Sequence, residues 1–126
     1  MGNRISKILF QKAEDDLGIA KLAITNQSYL EMANFHLQQA AEKLLKSYLA
    51  SKEIEFPRTH DLDAIYNLCL PTNIEFKKFE NLGELFNEFA VLVRYEDGIE
   101  IDLESIEINL KIVEDLKSFI HELLSS

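Results

Sequence analysis

Apolar positions recur at three- and four-residue intervals along most of this chain. That interval marks amphipathic helix, because each residue advances about 100° around the axis. Ile5, Ile8, Leu9, Ala13, Leu17, Ala20, Ala23 and Ile24 form the first such stripe and predict a buried helix face over roughly residues 4–26. Gly18 lies inside it and costs about 1 kcal/mol of helix propensity relative to Ala. Close approach of a neighbouring helix is the expected reason for that glycine. Ser28-x-x-Glu31 has the form of a capping box and predicts a second helix running to about Lys52. On its wheel, measured from His36, Ala40, Leu44, Leu37, Tyr48, Ala41 and Leu45 fall between about 40° and 180°. Glu42, Lys46, Gln39, Lys43 and His36 fill the opposite arc, about 240° to 360°, as donors and acceptors open to a partner, a ligand or water.

Pro57 breaks the pattern, since the residue before a proline avoids the helical region. Thr59 is placed to cap a short third helix ending near Leu70, and Pro71 stops it. Thr72-x-x-Glu75 repeats the capping-box form and predicts a fourth helix. Its stripe is Phe79, Leu82, Phe86, Phe89 and Val93, joined by Leu85 and Ala90. Asp97-Gly98 reads as a turn. Asp102 then caps a last helix to about Leu124, with Leu103, Ile106, Leu110, Val113, Leu116 and Ile120 inward. Ile108, Ile112 and Phe119 widen its apolar arc and suggest a dimer contact or deep burial. The expected fold is all-α: an antiparallel up-and-down four-helix bundle with one additional short helix, as a single domain over residues 1–126.

Composition narrows the function classes. A chain of 126 residues can bury roughly two-thirds of its unfolded surface without a metal or disulfide staple. The lone Cys69 has no internal partner and reads as a core residue of a reducing compartment. No stretch approaches the ~20 apolar residues of a membrane span, and the first residues lack the apolar core of a signal peptide. A cytoplasmic location is expected. The net charge of −9 is uneven, with +2 on residues 1–52 and −11 on residues 53–126. Residues 95–107 hold Glu96, Asp97, Glu100, Asp102, Glu104 and Glu107 and no base. Such a surface repels phosphate backbones, so direct nucleic-acid binding is not expected, while a basic protein would be attracted.

Three histidines, His36, His60 and His121, stand far apart without zinc-ligand spacing, so no metal is expected. The four glycines form no phosphate-binding loop, and no Ser or Cys sits in a nucleophile motif. No cofactor is implied. The residue types that could bind are Gln39, Lys43, His60, Arg94 and Tyr95, with His36 beside them. Lys43 and Arg94 would supply charge to a phosphate or a partner chain, and Gln39 would supply hydrogen bonds. The structural reading has His60 bracing the Pro57 turn, Arg94 pairing with Glu42 or Glu88, and Tyr95 closing the bundle end.

Phe35-His36-x-Gln38-Gln39-Ala40-Ala41-Glu42-Lys43-x-Leu45-Lys46, followed by Phe56-Pro57-x-Thr59-His60-Asp61-Leu62, resembles the HEPN domain, a small helical family of bacteria and archaea. Asp16-Leu17 and Val93-Arg94-Tyr95 extend the resemblance over nearly the whole chain. It implies a module often encoded beside a minimal nucleotidyltransferase and acting with it, in some pairs as toxin and neutraliser. Some HEPN proteins resemble one another in an Arg followed by a His after four to six intervening residues, and are metal-independent ribonucleases. Such a pair could supply a general base and a cation for the phosphate. Here the positions at that spacing are Leu9, Phe10 and Gln11 after Arg4, Asp63, Ala64 and Ile65 after Arg58, and Ile99, Glu100 and Ile101 after Arg94. The leading expectation is therefore a non-catalytic homodimer that binds a nucleotidyltransferase, with a nucleotide as its candidate ligand. A ribonuclease with an altered site and a stand-alone nucleotide-binding module are the alternatives.

Overall fold

Small residues repeat every seventh position on the first two helices: Ser6, Ala13 and Ala20, then Ala33, Ala40 and Ser47. The computed structural model of the chain, which describes residues 3–86 and 102–126, shows what this repeat does. Helix α1 (Arg4–Thr25) and helix α2 (Leu30–Ser51) pack antiparallel in the most extensive contact among the described helices. Asn3 caps α1 by accepting from the Ser6 N–H at 2.8 Å, and its side-chain amide donates to the Ala50 carbonyl on α2. One turn on, Ser6 Oγ donates to the Ser47 carbonyl at 2.7 Å. In both pairs the residue numbers add to 53. The same register sets Ala13 opposite Ala40 and Ala20 opposite Ala33, and all four alanines are fully buried. Short side chains at each crossing let the two axes come close, the condition for dense packing along a seam.

Asp102 accepts from the Ser105 N–H at 2.7 Å and caps the last helix, α5 (Leu103–Ser125), as expected. Helix α5 runs antiparallel to α1, with Lys21 on Glu114 at 2.9 Å, Glu14 on Lys117 at 3.2 Å, and the Phe10 and His121 rings 5.9 Å apart. It is therefore parallel to α2, and the buried Asn109 donates to Asn34 at 3.1 Å between them. Leu37, Leu44, Leu45, Val113, Leu116 and Ile120 fill the core of this three-helix layer. Helix α3 (Leu62–Cys69) packs on α2, and 3-10 turns at Leu70–Thr72 and Ile74–Phe79 lead to helix α4 (Leu82–Leu85). The fold is an all-α helical bundle, with no strand among the described residues. No described helix is long and apolar enough to cross a membrane.

Several local expectations need correcting. Tyr29, in the left-handed region at φ 56°, precedes α2 without a side-chain cap bond, and Ser28 Oγ donates to the Asn26 carbonyl instead. Asp61 caps α3, while Thr59 accepts from the Asp61 N–H. Asn73 caps the turn after Pro71, because Thr72 is occupied with the Cys69 carbonyl and the Tyr48 hydroxyl. The stripe from Phe79 to Phe86 is buried through a 3-10 turn and one short helix rather than a long helix begun at Thr72. Phe89, Ala90 and Val93 lie outside the described residues. On α5, Phe119 is buried against Phe76 and Phe79, and Ile112 is half-buried, so only Ile108 of the widened arc is exposed. Ile5 and Ile8, expected inward, face solvent.

Gly18 is exposed, and a Cβ built on it meets nothing within 4 Å. No neighbouring helix among the described residues explains it. Gly18→Ala should therefore raise unfolding stability by about 0.5–1 kcal/mol, through lower chain entropy and better helix propensity. A urea midpoint that fell would show that the backbone at Gly18 needs the freedom or the space that only glycine gives. Cys69 is fully buried, and burial pushes its thiol up to about 12 from 9.0, as befits an inert core residue.

Candidate functional site

Asp16 stands at helical spacing between Ala13 and Ala20, so α1 carries its carboxylate into the α1–α2 seam, where the residue is 6% exposed. Two side chains of α2, seven residues apart and so on one face, reach it. His36 Nδ1 lies 2.8 Å from Oδ1, and Lys43 Nζ donates to Oδ2 at 2.6 Å. An ionised carboxylate only accepts, so Nδ1 carries the hydrogen and Nε2 is the outer ring nitrogen. The Lys43 charge balances the Asp16 charge, which allows a carboxylate in a seam of alanines.

Glu42 is buried more deeply, at 3% exposed. Its Oε1 receives His60 Nδ1 at 2.8 Å and Lys46 Nζ at 3.3 Å. Lys46 also donates to the Thr59 carbonyl at 3.1 Å and lies 5.8 Å over the Phe56 ring. These contacts tie the segment between α2 and α3 across the polar arc of α2. Glu42 therefore sits beneath a loop, where the helical wheel alone would leave it in water. Among the described residues, no buried side-chain nitrogen or oxygen lacks a hydrogen-bond partner.

Of the residues singled out in the sequence, the structure joins His36 and Lys43 through Asp16 and gives His60 to Glu42. His60 thus braces the Pro57 segment, with its ring mostly in solvent. Lys43 has its ammonium held by Asp16 at 2.6 Å. Gln39 is half-buried on the same arc. Arg94 and Tyr95 lie outside the described residues, as does Glu88, so their expected pairings lie there too. Asp16, Glu42, Lys46 and Thr59 are the members of these networks that were not among the binding candidates. For Asp16 a signal existed, a carboxylate in register with an otherwise apolar stripe.

Chemically, the arrangement is a pair of braces. Both imidazoles commit Nδ1 to a buried carboxylate, and both nearby ammonium groups are engaged there as well. No three His, Cys, Asp or Glu among the described residues are arranged to hold a metal ion. A groove of about 280 Å³ opens elsewhere, between the first half of α1 and Leu124, and is lined by Ser6, Lys7, Phe10, Gln11 and Glu14. None of the expected site residues lines it. A model of the HEPN domain matches residues 6–123. No curated protein and no solved structure matches the chain.

Proposed function

The chain belongs to the HEPN domain family, matched over residues 6–123, and from that premise we propose a non-catalytic HEPN protein that binds a minimal nucleotidyltransferase. The pair acts as a two-component system of the toxin–antitoxin kind. One observation carries the non-catalytic half: the lysine nearest each histidine is already engaged, Lys43 with Asp16 and Lys46 with Glu42 and the Thr59 carbonyl. A general base for RNA cleavage needs a cation close by to hold the phosphate, and neither Lys43 nor Lys46 is open for that task. No Arg in the chain is followed by a His at the four-to-six-residue separation.

The pairing half rests on the family and on charge. Residues 53–126 carry a net −11, which would steer a basic partner toward this part of the chain. A nucleotide held by the pair belongs to the same reading. With Lys43 engaged, Gln39 and Arg94 are the residues left to contact its phosphate.

Two measurements test this. Purified protein should leave generic single-stranded RNA intact, with or without divalent metal. Cleavage that followed the protein through purification and disappeared in His36→Ala would overturn the non-catalytic reading and favour a ribonuclease with an altered site. A nucleotidyltransferase encoded beside this chain should bind it with an on-rate that falls as salt rises, because screening shortens to about 8 Å at physiological ionic strength. Failure of the two proteins to associate at low salt would remove the pairing half.

A further inference from the structure

Bracing α1 uses only one side of the His36 ring. Its Nδ1 hydrogen goes to the Asp16 carboxylate at 2.8 Å, so Nε2 carries a lone pair. No described residue hydrogen-bonds that nitrogen. It reaches the surface, since among the described residues no buried side-chain nitrogen lacks a partner. The Phe35 ring stands edge-on to the imidazole at 5.3 Å and flanks it. A carboxylate that holds one ring N–H while the other nitrogen faces outward is the usual setting of a metal-ligating histidine. It fixes the tautomer and the ring orientation, and it raises the basicity of the outer nitrogen.

A second donor stands four residues earlier. Residues i and i+4 lie one above the other on a helix. Helical side chains lean toward the N-terminus, so the His36 ring lies over the turn of α2 that carries Met32. Met32 is 50% exposed, so its thioether is not spent in the core. Three rotatable bonds let its sulfur come to the imidazole without moving the backbone.

This donor pair selects the ion. A thioether is soft and favours Cu(I), and an imidazole suits copper as well. Charge points the same way. Asp16 is already balanced by Lys43 Nζ at 2.6 Å, which leaves no net negative charge to hold a divalent ion. The clusters of His, Cys, Asp or Glu that would suit one are absent among the described residues. Cys69, the other soft donor, is fully buried against the Leu45 carbonyl. We propose that Met32 Sδ and His36 Nε2 form a binding site for Cu(I), with Asp16 as the positioning residue that aims the imidazole. The site goes beyond the pairing with a nucleotidyltransferase and does not depend on it.

Cu(I) itself, kept anaerobic and competed against a chromophoric chelator, tests it. Wild type should take up one ion per chain. The Met32 methyl and the His36 ring proton between the two nitrogens should shift together in NMR spectra until one equivalent is added. Asp16→Asn keeps both donors and should weaken binding by about 10–100-fold, as loss of an outer-shell partner does. Met32→Leu and His36→Gln each remove a donor and should weaken it at least as much. Met32 is exposed, so Met32→Leu should fold as wild type by circular dichroism and gives the reading least open to structural damage. Zn(II) should bind wild type and Met32→Leu alike, because a thioether adds little for that ion. Cu(I) affinity unchanged in Met32→Leu would overturn the proposal. So would uptake that vanished only in Cys69→Ala, which would assign the ion to the thiol.

Discussion

Phe76→Ala is expected to lower unfolding stability by about 3–5 kcal/mol, the range for emptying a fully buried aromatic site. Phe76 is 0% exposed although it lies in a 3-10 turn of only six residues, Ile74–Phe79. The ring is the anchor of that turn. Its centroid is 4.9 Å from Tyr48 of α2 and 5.0 Å from Phe119 of α5, both edge-on, the arrangement that aromatic quadrupoles favour. The Tyr66 hydroxyl of α3 donates to the Phe76 carbonyl at 2.9 Å, so three helices converge on one residue. Domains of this size are stable by about 5–15 kcal/mol in total, so the loss would be a large share. Ile74→Ala, two residues away and 72% exposed, serves as the control and should change stability by no more than about 0.5 kcal/mol. Urea unfolding of the two variants makes the comparison. Equal midpoints would mean that the turn is held by something other than this ring.

The periodicity of apolar residues located α1, α2 and α5 to within a residue or two, because those helices bury one face along their whole length. It failed where burial comes from something other than a helix face. Phe76 and Phe79 read as part of a long fourth helix, but Asn73 caps a 3-10 turn there, and short-range turn chemistry overrode the three-to-four spacing. Ile5 and Ile8 entered the inward stripe because an apolar residue at helical spacing looks the same whether it meets its own core or solvent. Glu42 was read as exposed from its wheel position, and only the return of residues 54–61 across α2 buries it. Of the site, His36, Lys43 and His60 were legible as polar residues gathered about one helix. Their partners were not, since Asp16 lies 20 and 27 residues away in the chain, and the pairing depends on the α1–α2 register. That register was itself written in the sequence, in small residues every seventh position on both helices. It becomes readable once the two heptads are aligned so that paired numbers add to 53.

Glu42→Ala should be the most damaging change to the polar networks, at about 3 kcal/mol or more, because it strands a cation under a loop. Glu42 and Lys46 side chains are 3% and 15% exposed, so the Lys46 ammonium would lose its carboxylate while still covered by Phe56 and Thr59. His60, by contrast, keeps 79% of its side chain in solvent. His60→Ala should cost less than about 1 kcal/mol, as exposed pairs do, since water readily replaces it. The double variant Glu42→Ala/Lys46→Met removes both charges and should be less destabilised than the sum of its two single changes, which is the coupling expected of residues sharing one buried contact. Asp16→Ala should fall between these, because Lys43 and His36 are 27% and 20% exposed and can turn outward to water. Unfolding midpoints for wild type and the five variants, Lys46→Met alone among them, give the order directly. If His60→Ala proved as costly as Glu42→Ala, then the imidazole rather than the ammonium would be what holds the loop on α2. Lys46 would then be free to turn toward a phosphate.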